Sequence, residues 1–485
     1  MNVTLVRFIL RMDEPGGVMI PAPVQRHEPD LVADRDPWDR PQIPGASLAG
    51  ALRELVRGYL PADDGTDTSD RLFGRLLPSG SATATVDSEA SSIWVLGGRL
   101  LDGHEAGADT VAGLIRAATA IDRHRGAARA HSLRLEELLP AGTRFEVFLR
   151  WDDADADDLN LFLTHLMAWQ PMIGHGVSRG RGRCAVETVR YGSLDLARPD
   201  DLLRWVTGSG PKLIREVAAQ PAVPLPGQGS IGNGEPLATI SVSIVGPLRI
   251  GSGRVSERTA GTDGPRVSLI VDEGGPLVPG STLKGLFRSR MEYILRSVAG
   301  RDAACQNQSC GRCWPCGVLG YAGGSDPARS SVGVRGRLRF TDARVTNGIP
   351  ATRTHVAIDR FTGGAGRLSR DPATAVQRAP DPGDEPAETG RGLLFTVQTL
   401  EHGGFTVVIE DLGLDSEERE DARALLRLVL QDLQDGLVGV GGGMARGYGS
   451  ITVDIAEVES TGDLPTLAES QRQLAQIASR TRTEG

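Results

Sequence analysis

Three short segments recur in the same order along this chain, and that duplication constrains the fold more than any other feature. QIPGASLAGALRELVRGYL at 42–60 is matched by LVPGSTLKGLFRSRMEYIL at 277–295, with Pro44 and Pro279 235 positions apart. TAIDR and VAIDR come next, Ile121 and Ile358 being 237 apart. GVSRGRGRCAV at 176–186 then pairs with GMARGYGSITV at 443–453, Arg179 and Arg446 being 267 apart. One such match is weak, but three in order predict two domains of one ancestry. The 30-residue rise in offset predicts an insertion in the second copy, between Phe361 and about Leu393.

The duplication predicts a first domain over 1–195 and a second over 237–458, with the insertion at 361–392. Residues 196–236 read as a short helical excursion followed by a Pro/Gly-rich linker, and 459–485 as a polar tail, loosely helical or disordered. Each copy opens with an alternating β-branched strand, NVTLVRFILRM or ATISVSIVG, followed by a Gly/Pro/Asp-rich loop and the PG helix. Leu283, Leu286, Phe287, Met291 and Ile294 give that helix one apolar face, with Ser281 or Thr282 placed to cap it. Further strands, a second helix and a closing strand complete an α+β, ferredoxin-like pattern, which also underlies many RNA-binding sheets.

Composition narrows the function classes. The 485 residues contain no uninterrupted apolar run of 18, and the start lacks the features of a signal peptide, so the expectation is a soluble, cytoplasmic protein without a membrane partner. A net charge of −9 argues against a uniformly basic surface, so a polyanion would have to use local clusters. Of 53 basic residues only Lys212 and Lys284 are lysine, an imbalance that fits an Ala/Gly/Arg-rich composition.

CQNQSCGRCWPC spaces Cys305, Cys310, Cys313 and Cys316 as C-x4-C-x2-C-x2-C. Four thiolates on a Gly- and Pro-bearing loop suit a closed tetrahedral Zn²⁺ site, structural because no position stays open. An iron–sulfur cluster is the alternative, although the C-x3-C-P continuation is absent, and unliganded thiols are the plain one. The loops GHGVSRGRGR and GVGGGMARGYGS contain loose GxGxxG spacing, but each precedes a terminal strand, which excludes a Rossmann or P-loop reading. Glycines that bring N–H groups close, alternating with Arg179, Arg181, Arg183 and Arg446, fit a phosphate backbone. A Gly-rich turn carrying solvated arginines is the alternative. His124, His131 and His355 lie near the IDR segments and, lacking a paired residue, read as surface or packing histidines.

Taken together, VPGSTLKGLFRSR, CGRCWPCGVLGYAG, RLRFTDARV, HVAIDRFTGGA and GGGMARGYGSITV in the second copy resemble the RAMP superfamily. PQIPGASLAGALR, RLFG, AIDRHRGAARA and GHGVSRGRG carry the resemblance in the first copy, which has no knuckle. The likeness is strongest to the backbone subunits of type III CRISPR effector complexes. It implies a body that cradles guide RNA, partner subunits in an effector complex, and a thumb hairpin after each IDR that displaces a base of the guide–target duplex. Arg123 and Arg360 would sit at the thumb bases, and Ser281, Lys284 and Arg288 at a helix start that favours phosphate.

The resemblance further implies cleavage of complementary target RNA, assisted by Mg²⁺ or another divalent cation and dependent on an aspartate between the first strand and the PG helix. Asp30, six residues before Asp36, is the first-copy candidate; Asp263, nine before Asp272, is the second. A carboxylate that orients a metal or accepts the 2′-OH proton suffices for this chemistry. The alternatives are a catalytically inactive guide-RNA-binding subunit and a RAMP endonuclease that processes guide precursors.

Overall fold

The computed structural model describes residues 1–22, 29–59, 68–76, 88–101, 113–123, 125–208, 210–225, 234–255, 267–272, 274–306, 309–323, 332–356, 358 and 394–483. Contacts divide the chain into two compact units. Unit 1 is Met1–Leu237 with Cys305–Thr341 and Ile409–Arg419; unit 2 is Ala238–Ala304, Asp342–Val408 and Glu420–Gly485. The knuckle and the strand after it, in the second copy by sequence, therefore belong to unit 1.

The first copy contributes β1 (Asn2–Met12), β2 (Met19–Pro21), β3 (Leu31–Ala33), β4 (Gln42–Ile43), α1 (Gly45–Tyr59), β5 (Ile93–Leu100), β6 (Leu114–Ala118), β7 (Ile121–Asp122), β8 (Ala127–Ala128), β9 (Arg134–Leu138), β10 (Arg144–Asp152), α2 (Ala156–Met167) and β11 (Cys184–Asp195). The excursion adds α3 (Pro199–Thr207), α4 (Gly210–Val217) and β12 (Gln220–Pro221). The main sheet has the order β12-β11-β1-β10-β5-β4, with antiparallel neighbours throughout. As β1 alternates, Val6, Phe8, Leu10 and Met12 enter one core with α1 and α2, while Val3 and Leu5 meet Leu213 and Ile214 of α4 on the other face. α1 buries Leu48, Leu52, Leu55 and Val56, a spacing that keeps one stripe against the sheet.

The second copy follows the same order with β13 (Glu235–Ile244), β14 (Gly251–Val255), β15 (Val267–Leu269), α5 (Gly280–Ala299), α6 (Trp314–Leu319), β16 (Leu338–Phe340), β17 (Ile349–Val356), β18 (Leu394–Glu401), β19 (Gly404–Asp411), α7 (Ser416–Gln434) and β20 (Ile451–Val453). Its main strands run β16-β19-β13-β20. Each copy also has a smaller sheet of matching order, β2-β3-β9-β6 and β14-β15-β18-β17, containing one parallel pair at Glu136↔Leu31 and Val397↔Val267. The fold is mixed α+β with several small sheets, and the duplication is visible in the backbone.

Two expectations change. The 30-residue rise in offset does not sit wholly in the 361–392 insertion: paired strands give 237 before it (Leu114 to Ala351) and 261 after it (Glu136 to Val397). The remainder falls largely in α7, which has 19 residues against 12 in α2. Seven residues are about two turns, so the longer helix keeps its apolar face on the core. Secondly, the polar tail carries a packed helix, α8 (Leu467–Thr483), burying Ile477 and Ala478. Asp421 of α7 accepts from Gln473 at 2.8 Å and from Arg480 at 2.6 Å.

Candidate nucleic-acid interface and metal centre

The two Gly/Arg loops share one backbone. Gly174, Gly176, Gly180 and Gly182 have φ of 95, 80, 80 and 75°, and Gly441, Gly443, Gly447 and Gly449, each 267 residues on, have 85, 85, 79 and 78°. Each loop makes one turn of 3-10 helix, Val177–Arg179 or Met444–Arg446, between left-handed glycines. The supporting bonds repeat as well: Ile173 N to Gly182 O (2.8 Å) matches Val440 N to Gly449 O (2.9 Å), and Gly182 N to Pro15 O matches Gly449 N to Pro247 O. A Cβ on Gly182 or Gly449 would lie 2.2 Å from a carbonyl oxygen, so no other residue fits either place.

The arginines on these loops have different fates. Arg181 is 2 % exposed and donates to Glu136, itself fully buried and also bonded by Arg134 at 2.6 Å. Burial opposes the Glu136 charge, but donors from His175, Arg181 and Arg134 outweigh it and hold the carboxyl well below the usual range. Arg181, expected from sequence on a phosphate backbone, is thus engaged as a core ion-pair partner of Glu136. Arg183 also turns inward, to Glu410 at 2.5 Å. Arg179 stays half-buried beside His175 (2.6 Å), its pKa pushed down to about 10 by burial and the neighbouring Arg181. In the second copy Arg446 is exposed, and Tyr448 stands where Arg181 does, bonded to His355 Nε2 at 2.7 Å. Burial, then Arg446, Arg249 and Arg353, lower the His355 pKa, so this cationic cluster holds a neutral imidazole at neutral pH.

At the start of α5, Pro279 is the N-cap without a side-chain bond, and Ser281 and Thr282 lie inside the first turn. The cap comes from outside: Asp342 of the DAR segment accepts from Gly280 N at 2.8 Å. Lys284 is half-buried one turn on. Arg288 pairs with the buried Glu292 at 2.9 Å, and its side chain is only 13 % exposed, so its charge is already engaged within the helix.

Asp30 is exposed at the entry to β3, with Oδ2 accepting from Leu135 N at 2.7 Å. Asp36 instead closes a turn, accepting from Trp38 N, Arg40 N and Arg40 Nε. Burial opposes its charge, but the Arg40 and Trp38 donors hold its carboxyl low. Asp272 is held by Gly274 N and Arg344. Leu31 and Val267 are 236 apart, as are Asp36 and Asp272; carried along the sequence, that offset matches Asp30 to Arg266 and leaves Asp263 three residues short. Asp263 and Arg360, like the 361–392 insertion, lie outside the described residues. Arg123 lies in the turn between β7 and β8, where Asp122 Oδ1 accepts from Arg125 N at 3.0 Å.

The four knuckle sulfurs lie within 4.8 Å of one another, the single cluster with metal-ligand geometry among the described residues. Cys305 Sγ is 3.6 Å from both Cys313 and Cys316 Sγ, near the ~3.8 Å that tetrahedral Zn–S bonds impose. Cys310 N points at Cys305 Sγ (3.0 Å), and Arg312 N and Cys313 N at Cys310 Sγ, donors that suit thiolates. Without a cation the Cys305 and Cys316 thiols, with burial, push Cys313 up, so a divalent ion is what allows all four to ionise together. The donor set fits zinc. Asp30, by contrast, belongs to no three-ligand group among the described residues.

Sequence reasoning missed Glu136, Glu14, Arg339 and Glu410. Alternation in RLRF sets Arg339 on the face opposite Leu338 and Phe340, the pattern of a solvent-facing arginine, yet it is fully buried.

With this geometry in view, the comparisons are specific on family. The RAMP superfamily model matches residues 16–185 and 241–452. The chain belongs to the RAMP superfamily and carries two tandem matches to it. No curated protein sequence matches. A chain of the apo-state type III-B Cmr-beta cryo-EM structure is similar at 13% identity, covering 38% of this chain and 96% of that one, with a TM-score of 0.30.

Proposed function

We propose that the chain is a fused pair of guide-RNA-binding backbone subunits of a type III CRISPR effector complex, and that its first copy cuts complementary target RNA. The reading rests on one observation above others: two Gly/Arg loops with the same left-handed glycines, in register, in a chain of RAMP ancestry. Main-strand orders β11-β1-β10-β5 and β20-β13-β19-β16 are those of a ferredoxin-like sheet and support two such domains, 1–195 and 237–458, joined through 196–236. Arg179, Arg446 and Lys284 are the phosphate contacts, with Arg123 at the root of a first thumb built on the β7–β8 hairpin. The second thumb is assigned to 361–392 and Arg360. Structural zinc on the four cysteines completes the second copy.

For cleavage, the 2′-OH must be aligned with the phosphorus and lose its proton. Asp30 supplies an exposed carboxylate whose Oδ2 is fixed by Leu135 N–H, leaving Oδ1 without a partner among the described residues. The repeat offset, which matches Asp30 in sequence to Arg266 and not to an aspartate, favours a second reading of the second copy, as a structural RNA-binding domain. Effector complex assembled with Asp30→Ala is expected to lose about a hundredfold or more in the rate at one cut position in a labelled complementary RNA with Mg²⁺. Asp263→Ala tests the other copy: loss of a second, regularly spaced cut makes it active, and an unchanged pattern makes it structural. Unaltered cutting in Asp30→Ala would sink the assignment, and cation-independent cutting of guide precursor would favour the processing enzyme.

A further inference from the structure

The two Gly/Arg loops share a backbone, but the charges gathered around them differ. In the first copy Glu136 of β9 stands opposite Arg116 of β6 on the ladder and takes bonds from Arg181 and Arg134, so this loop has an anion of its own. The parallel pairs Glu136↔Leu31 and Val397↔Val267 put Val397 at the matching place in the second copy, opposite Arg353. The arginine of that cross-strand pair is kept, and the carboxylate is replaced by a buried valine.

The second copy also gains positive charge. Arg249 bridges Gly441 as Gly17 bridges Gly174, so an arginine stands where the first copy has a glycine. Arg446 ends the 3-10 turn, and Arg353 and His355, two apart on β17, share one face of the strand. Burial, then Arg446, opposes the charge of Arg249. Glu401, beside His402, is the carboxylate of the group and is bonded by Arg353 at 2.9 Å. Tyr448, in the place of Arg181, meets His355 Nε2 at 2.7 Å, with the two rings 5.7 Å apart. Arg446, Arg249 and Arg353 all disfavour an imidazolium there.

We propose that this cluster binds a phosphate group together with one proton from solvent, which His355 takes up. The anion does for Arg249, Arg353 and Arg446 what Glu136 does for Arg181 and Arg134. A phosphate among the arginines offsets the repulsion that keeps the imidazole neutral, so anion and proton favour each other's binding by the same factor. Tyr448 links the two. Once Nε2 carries a proton it donates to the phenol oxygen, and the phenol O–H is left to donate to the anion. The first loop, with its carboxylate built in, needs no such proton. The inference deepens the guide-RNA reading, and rests on it for the source of the phosphate, an RNA backbone.

Imidazole NMR of the full chain, with His355 assigned through His355→Gln, reads the coupling. Single-stranded RNA and tripolyphosphate, each at saturation, should raise the His355 pKa, and both should bind about tenfold more tightly at pH 5 than at pH 8. His355→Gln should lose that dependence. Tyr448→Phe, which keeps the ring, should shrink it, and serves alone if the first variant misfolds. A His355 signal that neither probe moves, or a pH dependence that survives His355→Gln, would overturn the proposal. A shift with tripolyphosphate without any binding of RNA keeps the site and removes the guide-RNA reading. RNA bound tightly with His355 unmoved removes the site and leaves that reading standing.

Discussion

Replacing Arg339 with methionine is expected to cost unit 1 about 3–5 kcal/mol, the usual penalty for removing one member of a buried ion network. Arg339 is fully buried between Glu14 and Glu410, and its loss leaves two enclosed carboxylates with Arg183 as their remaining cation. Urea unfolding at pH 7 should show the deficit. Adding Glu14→Gln and Glu410→Gln should restore much of it, since buried neutral amides in place of buried charges remove the desolvation penalty. The deficit also has a pH signature. Burial raises the Glu14 pKa above its ordinary 4.5, against the opposing pull of Arg339 and Arg183. A group so raised contributes stability that is full below the unfolded value and lost as pH rises through the folded one. Arg339→Met removes the larger opposing charge, raises Glu14 further and steepens that loss, so variant and wild type should converge as pH falls towards 4.5. A gap that stays constant with pH would show that Glu14 does not carry the effect.

This network also shows where sequence reading ends. The duplication was legible because glycines held at positive φ against a carbonyl tolerate no substitute, so GVSRGRG and GMARGYG kept their spacing through 267 residues. The arginines between those glycines carry no such signature. Arg179, Arg181, Arg183 and Arg446 look alike in sequence, yet Arg181 and Arg183 turn inward because Glu136 and Glu410 lie on strands 45 and 227 residues away along the chain. Nothing local to a Gly/Arg loop reveals such a partner. The α5 cap is a similar case: Ser281 and Thr282 are the right residue types in the wrong turn, and Asp342, 62 residues on, does the work. The cysteine knuckle was legible because all four ligands are local. The tail's helix is legible, but its packing is not, because α8 buries only a narrow stripe, Ser470, Ile477 and Ala478, in an otherwise Gln/Arg/Thr-rich segment.

Removal of the knuckle metal is expected to have the second large effect, and to act through the same network. Elemental analysis should find about one zinc per chain, and Cys316→Ser, at a fully buried ligand, should abolish it. Structural zinc binding is worth on the order of 10 kcal/mol in small domains, comparable to the whole stability of a typical protein. The knuckle is tied directly to β16: Arg337 N bonds Val318 O of α6 at 2.8 Å, and Tyr321 bridges Val334 in both directions. Two residues beyond Arg337 is Arg339. Losing the metal should therefore loosen the strand that delivers Arg339 to Glu14 and Val177, lowering the unfolding midpoint of unit 1 and opening the segment after Cys305 to protease. Because both changes act on one element, Cys316→Ser combined with Arg339→Met should cost clearly less than the sum of the two singly. Full additivity would mean that the knuckle and the ion network are independent. Iron with visible colour in place of zinc would identify the cysteines as a cluster site instead.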